Sequence, residues 1–399
     1  MRIFVSAGEP SGDLHAARLI RELRGLAPGT EFVGMGGPEM RAAGCRIAYP
    51  LTELAVMGFL RVLPMLGRFL AAYRAARRVL REQRPDAVVL VDFPGFHWWI
   101  AGAAKRAGIP VIYYLPPQLW AWAPWRLRKM RRLVDKVLCA LPFEHEWFRS
   151  RGLDADFVGH PFFDEASERT LDAEFLTTLA EAAGDGKRLI AILPGSRKHE
   201  VVANFPVQMR AMEQLARRHP NVRFEVANFR DDQRELCRRM LEESKVDLPV
   251  TLHVGRTAEI LAGCEAACMV SGSVSLELLA KGLPAVVVYR MSRWLYAIGR
   301  RTFIQCRFIS LPNLIANEEL MPEIIPAEPP SAAGDDAARI LDQWLNDPLA
   351  LADARRRMES LRERTVVAGA SAAAAKRVME FVGQRSRVTS GNVSGRKAA

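Results

Sequence analysis

Short apolar runs alternate with stretches of helical spacing along most of this chain. In the first half the runs at residues 2–6, 31–34, 87–91, 111–115 and 137–141, with a short one at 156–158, are rich in Val, Ile and Phe and predict strands. Between them, 14–26 and 99–107 carry apolar residues at helical spacing, and Ala107-Gly108-Ile109-Pro110 reads as a helix stop. The second half repeats the pattern, with strands expected at 189–193, 222–227, 250–254, 267–271 and 285–289 and helices at 203–218, 230–243, 257–263, 275–281 and 335–346. Apolar strands separated by helices make a parallel sheet covered on both faces. The fold expected is α/β, with two Rossmann-like doubly wound domains facing each other across a cleft.

The small polar stretch Ala182-Ala183-Gly184-Asp185-Gly186-Lys187 marks the expected linker. It separates a domain at 1–183 from one at 187–360. An Ala-rich helix at 361–383 follows, and the tail 384–399, without apolar periodicity, is expected to be disordered.

One device occurs at the start of each half. Arg2-Ile3-Phe4-Val5 runs into Ser6-Ala7-Gly8-Glu9-Pro10-Ser11-Gly12-Asp13 and then a helix; Leu189-Ile190-Ala191-Ile192 runs into Leu193-Pro194-Gly195-Ser196-Arg197 and then another. A strand, a small-residue turn and a helix N-terminus present backbone N–H groups and a dipole that favour an anion. Gly8, Glu9, Ser11 and Gly12 in the first loop are therefore candidate ligand residues, as are Gly195, Ser196 and Arg197 in the second, where arginine adds a fork of charge-assisted donors. In the second half Ser271-Gly272-Ser273 also leads from a strand into a short helix. Glu277 lies in the first turns of that helix, where a carboxylate can accept both hydroxyls of a ribose. A phosphorylated ligand is the natural occupant of such loops.

Asp92, at the end of Val88-Val89-Leu90-Val91, is placed to act as a general base, since partial burial brings a carboxylate toward the working pH. Glu9, Asp13, His15 and His160 are rival bases, and a turn-forming role for Asp92 beside Pro94 and Gly95 stays open.

Composition narrows the partners. The chain has 399 residues, 49% hydrophobic and 25% charged, and a formal net charge of +11, so an anionic partner is expected. No nucleic-acid motif accompanies the charge, and nucleic acid is not expected. The six scattered cysteines read as thiols of a reducing compartment, with no metal spacing among them. No signal peptide is expected, because the chain opens on a strand-like run with charge on either side, and no spanning segment, because the uncharged run 109–125 is broken by four prolines. From Leu54 to Leu70 large apolar residues mix with Arg61 and Arg68, and Arg74, Arg77, Arg78 and Arg81 follow. That mixture suits peripheral contact with an anionic membrane, and a buried helical hairpin with a basic outer face is the alternative. The run Trp120-Ala121-Trp122-Ala123-Pro124-Trp125 beside Arg126 and Arg128 suits a membrane interface, a sugar-stacking wall or domain packing.

An ordered set of motifs then resembles one family. Ser6–Asp13, Gly34-Met35-Gly36-Gly37-Pro38, Glu53-Leu54-Ala55-Val56-Met57-Gly58, Trp120-Ala121-Trp122, Leu141-Pro142-Phe143-Glu144, Gly159-His160-Pro161, Leu193–Arg197, Tyr289-Arg290-Met291 and Ser310-Leu311-Pro312-Asn313-Leu314 are similar to the lipid-A-disaccharide synthases, glycosyltransferases of the two-domain GT-B type. The resemblance implies transfer of 2,3-diacylglucosamine from UDP to 2,3-diacylglucosamine 1-phosphate, giving a β-1,6-linked disaccharide and UDP by inversion; since a helix N-terminus and Arg197 can cradle the departing diphosphate, no metal or cofactor is expected. It implies Asp92 as the base, Arg197, Glu277 and Asn313 in the UDP pocket, and a place on the cytoplasmic face of the inner membrane. It leaves the oligomeric state open. Gly95, Ser273-Val274-Ser275 and Pro326 depart from the family's usual residues, and Pro326 puts one nucleotide contact in doubt. Other two-domain UDP-sugar enzymes, a UDP-N-acetylglucosamine 2-epimerase or another lipid-linked glycosyltransferase, are the alternatives, with a non-catalytic membrane-binding protein a third.

Overall fold

The computed structural model describes residues 1–55, 62–184, 186–302 and 306–394. Contacts divide the chain into two compact units, Met1–Glu165 with Val367–Ala399, and Ala166–Val366.

Unit 1 holds strands β1 (Arg2–Ala7), β2 (Glu31–Gly36), β3 (Arg46–Pro50), β4 (Ala87–Val91), β5 (Val111–Tyr114), β6 (Lys136–Cys139) and β7 (Ala155–Phe157). They form one seven-stranded sheet in the order β3-β2-β1-β4-β5-β6-β7, parallel throughout. Successive residues of each strand supply opposite faces. Phe4, Val88, Leu90, Val111 and Tyr113 enter one core, and Ile3, Val5, Val89, Val91, Ile112 and Tyr114 the other. Ala72, Ala76, Val79 and Leu80 of the helix Val62–Glu82 cover the first face with Ile100 and Ala104 of the helix Pro94–Arg106. The second face is covered by Ala16, Leu19, Ile20 and Leu23 of the helix Pro10–Leu26, and by Ala374, Ala375, Val378 and Val382 of the helix Ala370–Ser394.

Unit 2 holds β8 (Arg188–Leu193), β9 (Val222–Asn228), β10 (Val250–Val254), β11 (Ala266–Val270), β12 (Ala285–Val288) and β13 (Glu323–Ile324). The order is β10-β9-β8-β11-β12-β13, again parallel throughout. In both sheets the order reverses beside the first strand, between β1 and β4 and between β8 and β11. Those switch points, at the carboxyl ends of the strands, are where doubly wound sheets take ligands.

Two strands lie outside the sequence reading. β3 is an edge strand with an exposed or half-buried pattern, and β13 has two residues, so neither carries an apolar run. The division of contacts falls after Glu165 and not in the polar stretch near Gly184. The helix Ala173–Ala182 belongs to unit 2, where Leu179 is buried against Gly263. The C-terminal segment returns to unit 1, and its helix runs through Ser394, past Gln384 where a disordered tail is expected. Its inward alanines and valines bury against the β1–β5 face. Asp185 and 395–399 lie outside the described residues, as do residues 56–61 of the apolar, basic segment.

A buried carboxylate fastens this returning helix. Asp164 accepts from the backbone N–H groups of Gly369, Ala370 and Ser371 at 2.7, 3.0 and 2.8 Å. An acid at a helix N-terminus satisfies otherwise orphaned donors and meets the positive end of the dipole. Asp164→Ala is expected to cost about 2 kcal/mol, the upper end for a lost cap because the site is buried, read as a lower midpoint in urea unfolding. An unchanged midpoint would show that the helix docks through its apolar face alone.

Candidate active site

In unit 1 the chain leaves β4 through two consecutive left-handed residues, Asp92 and Phe93, with φ of 51° and 49°. Neither is glycine, and each such residue costs about 1–3 kcal/mol unless its surroundings impose it. The surroundings converge on one carbonyl. The Asp92 backbone oxygen accepts from the Tyr113 hydroxyl at 2.8 Å and from Nδ1 of His97 at 2.6 Å. A carbonyl only accepts, so Nδ1 carries the imidazole proton. Nε2 is then left to accept from the Ser6 hydroxyl at 3.0 Å. His97 is fully buried, and burial pushes it down to about 3, so it is neutral. Gly8 belongs to the same arrangement: a Cβ there would meet the Phe93 ring at 2.2 Å. Glycine allows the first loop to lie against the strained turn.

Held this way, the half-buried Asp92 carboxyl is raised from 3.8 to about 6, chiefly by desolvation, then by the negative charge of Glu9, with the Phe93 N–H opposing. Such a group is ionised above pH 6 and basic enough to take a proton from a sugar hydroxyl.

Of the rival bases, Asp13, His15 and His160 have contacts of their own in unit 1. Asp13 is buried and accepts from Gly37, Glu39 and Met40 N–H groups at 2.7, 2.9 and 3.3 Å, fixing the loop after β2. His15 and His160 meet edge to face, centroids 6.0 Å apart. Burial lowers them to about 4 and about 3, so both are neutral packing groups. Glu9 and Ser11 are exposed at the start of the helix Pro10–Leu26, with Gly8 and Gly12 buried beneath them. That helix begins at Pro10 rather than at Leu14, which puts Ser11 and Gly12 in its first turn, and no described side chain caps it.

The tryptophan motif meets a later one. Trp120 is buried, donates from Nε1 to Glu144 at 3.0 Å and stacks edge-on against Phe143 at 4.8 Å. Burial raises Glu144 to about 7. Trp120 is thus spent on packing inside unit 1.

In unit 2 Gly195 has φ 111°, and a Cβ would meet Glu200 at 2.7 Å. Glu200 lies against the loop and accepts from the N–H groups of Ser196 and Arg197 at 2.9 and 3.0 Å. Two donors that the sequence reading offers to a ligand therefore meet an internal carboxylate. The Arg197 guanidinium is 70% exposed and held to Glu200 only at 3.4 Å, so its charge projects from the N-terminus of the helix Lys198–Arg218 into solvent. Glu200, Asn204 and Gln208 are buried on one face of that helix. Asn204 accepts from the Arg290 N–H at 2.6 Å. Gln208 donates to the carbonyls of Leu193 and Cys268 at 3.0 and 3.1 Å, bridging β8 and β11 at the switch point. No motif marks these three; four-residue spacing of polar groups on an otherwise apolar helix face is the signal that the sequence carries.

After β11, Ser271 is half-buried, and Gly272 and Ser273 are exposed with open space around Gly272. Glu277 is buried and accepts from Arg169 at 2.8 Å. Asn313 is fully buried and its amide is saturated. It donates to Met321 O and Glu323 at 2.7 and 2.9 Å and accepts from Leu320 and Met321 N–H groups at 2.8 Å each. Its side chain holds the Ser310–Leu314 turn in place and has nothing left for a ligand. Among the described residues no group of three acidic, His or Cys side chains could hold a metal ion. Asp154 and Asp156, two residues apart, both pair with Lys136, at 2.7 and 2.9 Å, by the start of β7.

A family model described as lipid-A-disaccharide synthetase matches residues 3–365. The lipid-A-disaccharide synthase of Geobacter metallireducens is 33% identical over 395 residues, 96% of this chain and 98% of that one. The Azotobacter vinelandii protein of the same name is 37% identical over 326 residues, covering 82% and 85%. Among solved structures, a Staphylococcus aureus MnaA–UDP complex superposes with a TM-score of 0.64 at 11% identity, over 96% of this chain and 97% of that one. The Neisseria meningitidis UDP-GlcNAc 2-epimerase bound to UDP-GlcNAc gives 0.60 at 13%, over 96% and 100%. At such low identity these two speak to the paired doubly wound fold, of GT-B type. The sequence matches go further: this chain belongs to the lipid-A-disaccharide synthase family.

Proposed function

We propose that the chain transfers 2,3-diacylglucosamine from UDP to O6 of 2,3-diacylglucosamine 1-phosphate, with Asp92 as the general base and Arg197 at the departing diphosphate. The observation that carries the reading is the family match across residues 3–365. The enzyme is a glycosyltransferase of lipid A synthesis, taking a UDP-sugar donor and a phosphorylated sugar acceptor. Asp92 removes the acceptor hydroxyl proton as the oxygen attacks the anomeric carbon, and the bond to UDP breaks on the opposite side, inverting the α linkage to β. Negative charge grows on the β-phosphate, where Arg197 and the dipole of the helix Lys198–Arg218 stabilise it. Glu277, positioned by Arg169, accepts from the ribose hydroxyls, and Gly195, Ser196, Ser271, Gly272 and Ser273 line the phosphate path. Gly8, Glu9, Ser11 and Gly12 take the acceptor. Asn313 acts through the turn it holds. Mass spectrometry of the product formed from the two monosaccharides tests the reading directly; UDP release without a disaccharide would refute it.

Membrane contact is the second half of the proposal. Among the described residues no helix is long and apolar enough to cross a membrane. The helix Val62–Glu82 instead exposes Leu66 (59%) and Leu70 (46%), with Arg74, Arg77, Arg78 and Arg81 also outward. Trp99, 64% exposed, lies edge-on to Tyr73 of the same helix. Large apolar groups fringed by arginines suit peripheral attachment to an anionic surface on the cytoplasmic side.

Three outcomes are expected. Asp92→Asn lowers kcat by ~100- to 10,000-fold while UDP still raises the melting temperature. The folded-state carboxyl is raised, so its ionised form opposes folding, by an amount that grows between pH 3.8 and about 6 and stays constant above. The same Asn variant, which also suits a left-handed backbone, should therefore be more stable than the parent above pH 6, by roughly 1–2 kcal/mol after solvent screening, and gain little below pH 4. The parent's kcat should fall on the acid side of about pH 6, and Glu9→Gln should move that limb to lower pH by removing a negative neighbour. An active Asp92→Asn, or an unstable one, would reassign Asp92 to the turn.

Arg197→Ala should reduce transfer ~100-fold or more, with melting unchanged in the absence of UDP. Normal rates at saturating donor would remove Arg197 from the leaving group. Vesicle binding should weaken with salt and with Arg74→Glu, by up to ~1 kcal/mol per charge near the surface. Equal binding to neutral and anionic vesicles would refute the electrostatic part of the attachment.

A further inference from the structure

The helix Arg293–Thr302 of unit 2 presents apolar side chains at its surface. Trp294 is 71% exposed and Ile298 37%, and their four-residue spacing places them on one face. Ala297 and Arg301, also exposed, complete that face, and Arg293 is exposed beside it. The helix contains no Asp or Glu. Glu328 is engaged at its N-terminus, accepting from the Arg293 N–H at 3.3 Å and pairing with Arg290 at 3.8 Å. On the other side Tyr296 is half-buried and lines a cavity of about 280 Å³ with Phe308 and Ile309. Arg307, exposed, stacks on Phe308 at 4.9 Å. The helix thus turns Tyr296 inward and leaves Trp294, Arg293 and Arg301 in water, with Ile298 partly exposed beside them.

We propose that this face is a membrane-contacting surface of unit 2, distinct from the helix Val62–Glu82 of unit 1. Trp294 and Ile298 enter the boundary between headgroups and acyl chains of an anionic bilayer, and Arg293 and Arg301 meet lipid phosphates. The inference rests on the membrane reading above but uses another unit and other residues. Tryptophan is favoured at that depth because its ring is apolar and its N–H polar, and arginine reaches outward from an apolar face to anionic headgroups. A second copy of the chain is a poorer occupant. Symmetric pairing would set arginines against arginines, and a helix about 15 Å long offers far less than the ~800 Å² per partner that stable association needs.

Co-sedimentation of the full-length protein with phosphatidylglycerol/phosphatidylethanolamine vesicles, and with phosphatidylcholine vesicles, tests this. Trp294→Ser/Ile298→Ser should lower partition onto the anionic vesicles by about tenfold or more, since two large apolar side chains lose their burial. Its melting temperature should fall only slightly, because Trp294 is mostly exposed and only the covered part of Ile298 is lost. Arg293→Glu/Arg301→Glu should cost about fivefold per charge on anionic vesicles and little on neutral ones. Parent-like binding by the Trp294/Ile298 variant, with binding lost in Leu66→Ser/Leu70→Ser, would overturn this inference and leave the unit 1 surface standing. Failure of the parent to bind any vesicle would overturn both. A change in sedimentation velocity with unchanged vesicle binding would assign the face to a second copy and overturn it as well.

Discussion

The backbone oxygen of Asp92 is the point on which the unit 1 site depends. Two left-handed residues in succession are costly for a chain with side chains, and here the cost is offset by two donors, Tyr113 and His97, aimed at one acceptor in a dry interior. Each such hydrogen bond is worth about 1 kcal/mol net, but leaving the buried groups unpaired would cost more. His97 has no freedom in this arrangement. Its protonation is set by the carbonyl it faces, its second nitrogen by Ser6, and its neutrality by burial. A chain of three elements, the end of β1, the β4 turn and the helix Pro94–Arg106, is thereby closed around Asp92. Precision in the Asp92 carboxylate follows from order in its own backbone.

Much of this was legible in the chain, and what was not has physical reasons. Apolar runs such as Ala87–Val91 announce themselves because a parallel strand is buried on both faces. Arg46–Pro50 does not, because an edge strand half in water needs no such run. Asp92 could be placed at a strand end from the pattern alone. That its backbone is left-handed, and that His97 and Ser6, 91 residues apart, lock it, belongs to tertiary structure. Asp13 and Asn313 sit in recognisable motifs, yet both are consumed in holding turns. Motif spacing shows that a residue type is required and is silent on whether its polar atoms face a ligand or the backbone. The return of the C-terminal helix to unit 1 depends on Asp164, whose partners begin 205 residues later, a separation no local pattern can report.

The phosphate-type loop of unit 2 carries a less obvious constraint. A glycine turn and a helix N-terminus ordinarily offer their N–H groups to an anion, but the helix's own Glu200 takes those of Ser196 and Arg197. That carboxylate ties down a turn whose glycine could otherwise adopt many shapes. It also cancels part of the positive potential there. A diphosphate approaching this loop would meet a negative group close behind the two N–H donors, so the backbone alone is a weak attractor.

In the proposed reaction the Arg197 side chain would resolve that conflict. Its guanidinium is mostly in solvent and keeps only a long contact with Glu200, so little has to be broken for it to turn to an anion. A cation so loosely held gains more from a charge that develops during reaction than from one already neutralised by a partner. The two units therefore treat charge in opposite ways. Unit 1 half-buries a carboxylate beside a second acid and raises its affinity for a proton, while unit 2 leaves a cation exposed at a helix end whose nearest donors are already occupied. In the proposed reaction the first arrangement would suit proton removal and the second the departure of a diphosphate, because the one raises proton affinity and the other leaves a cation able to turn to an anion.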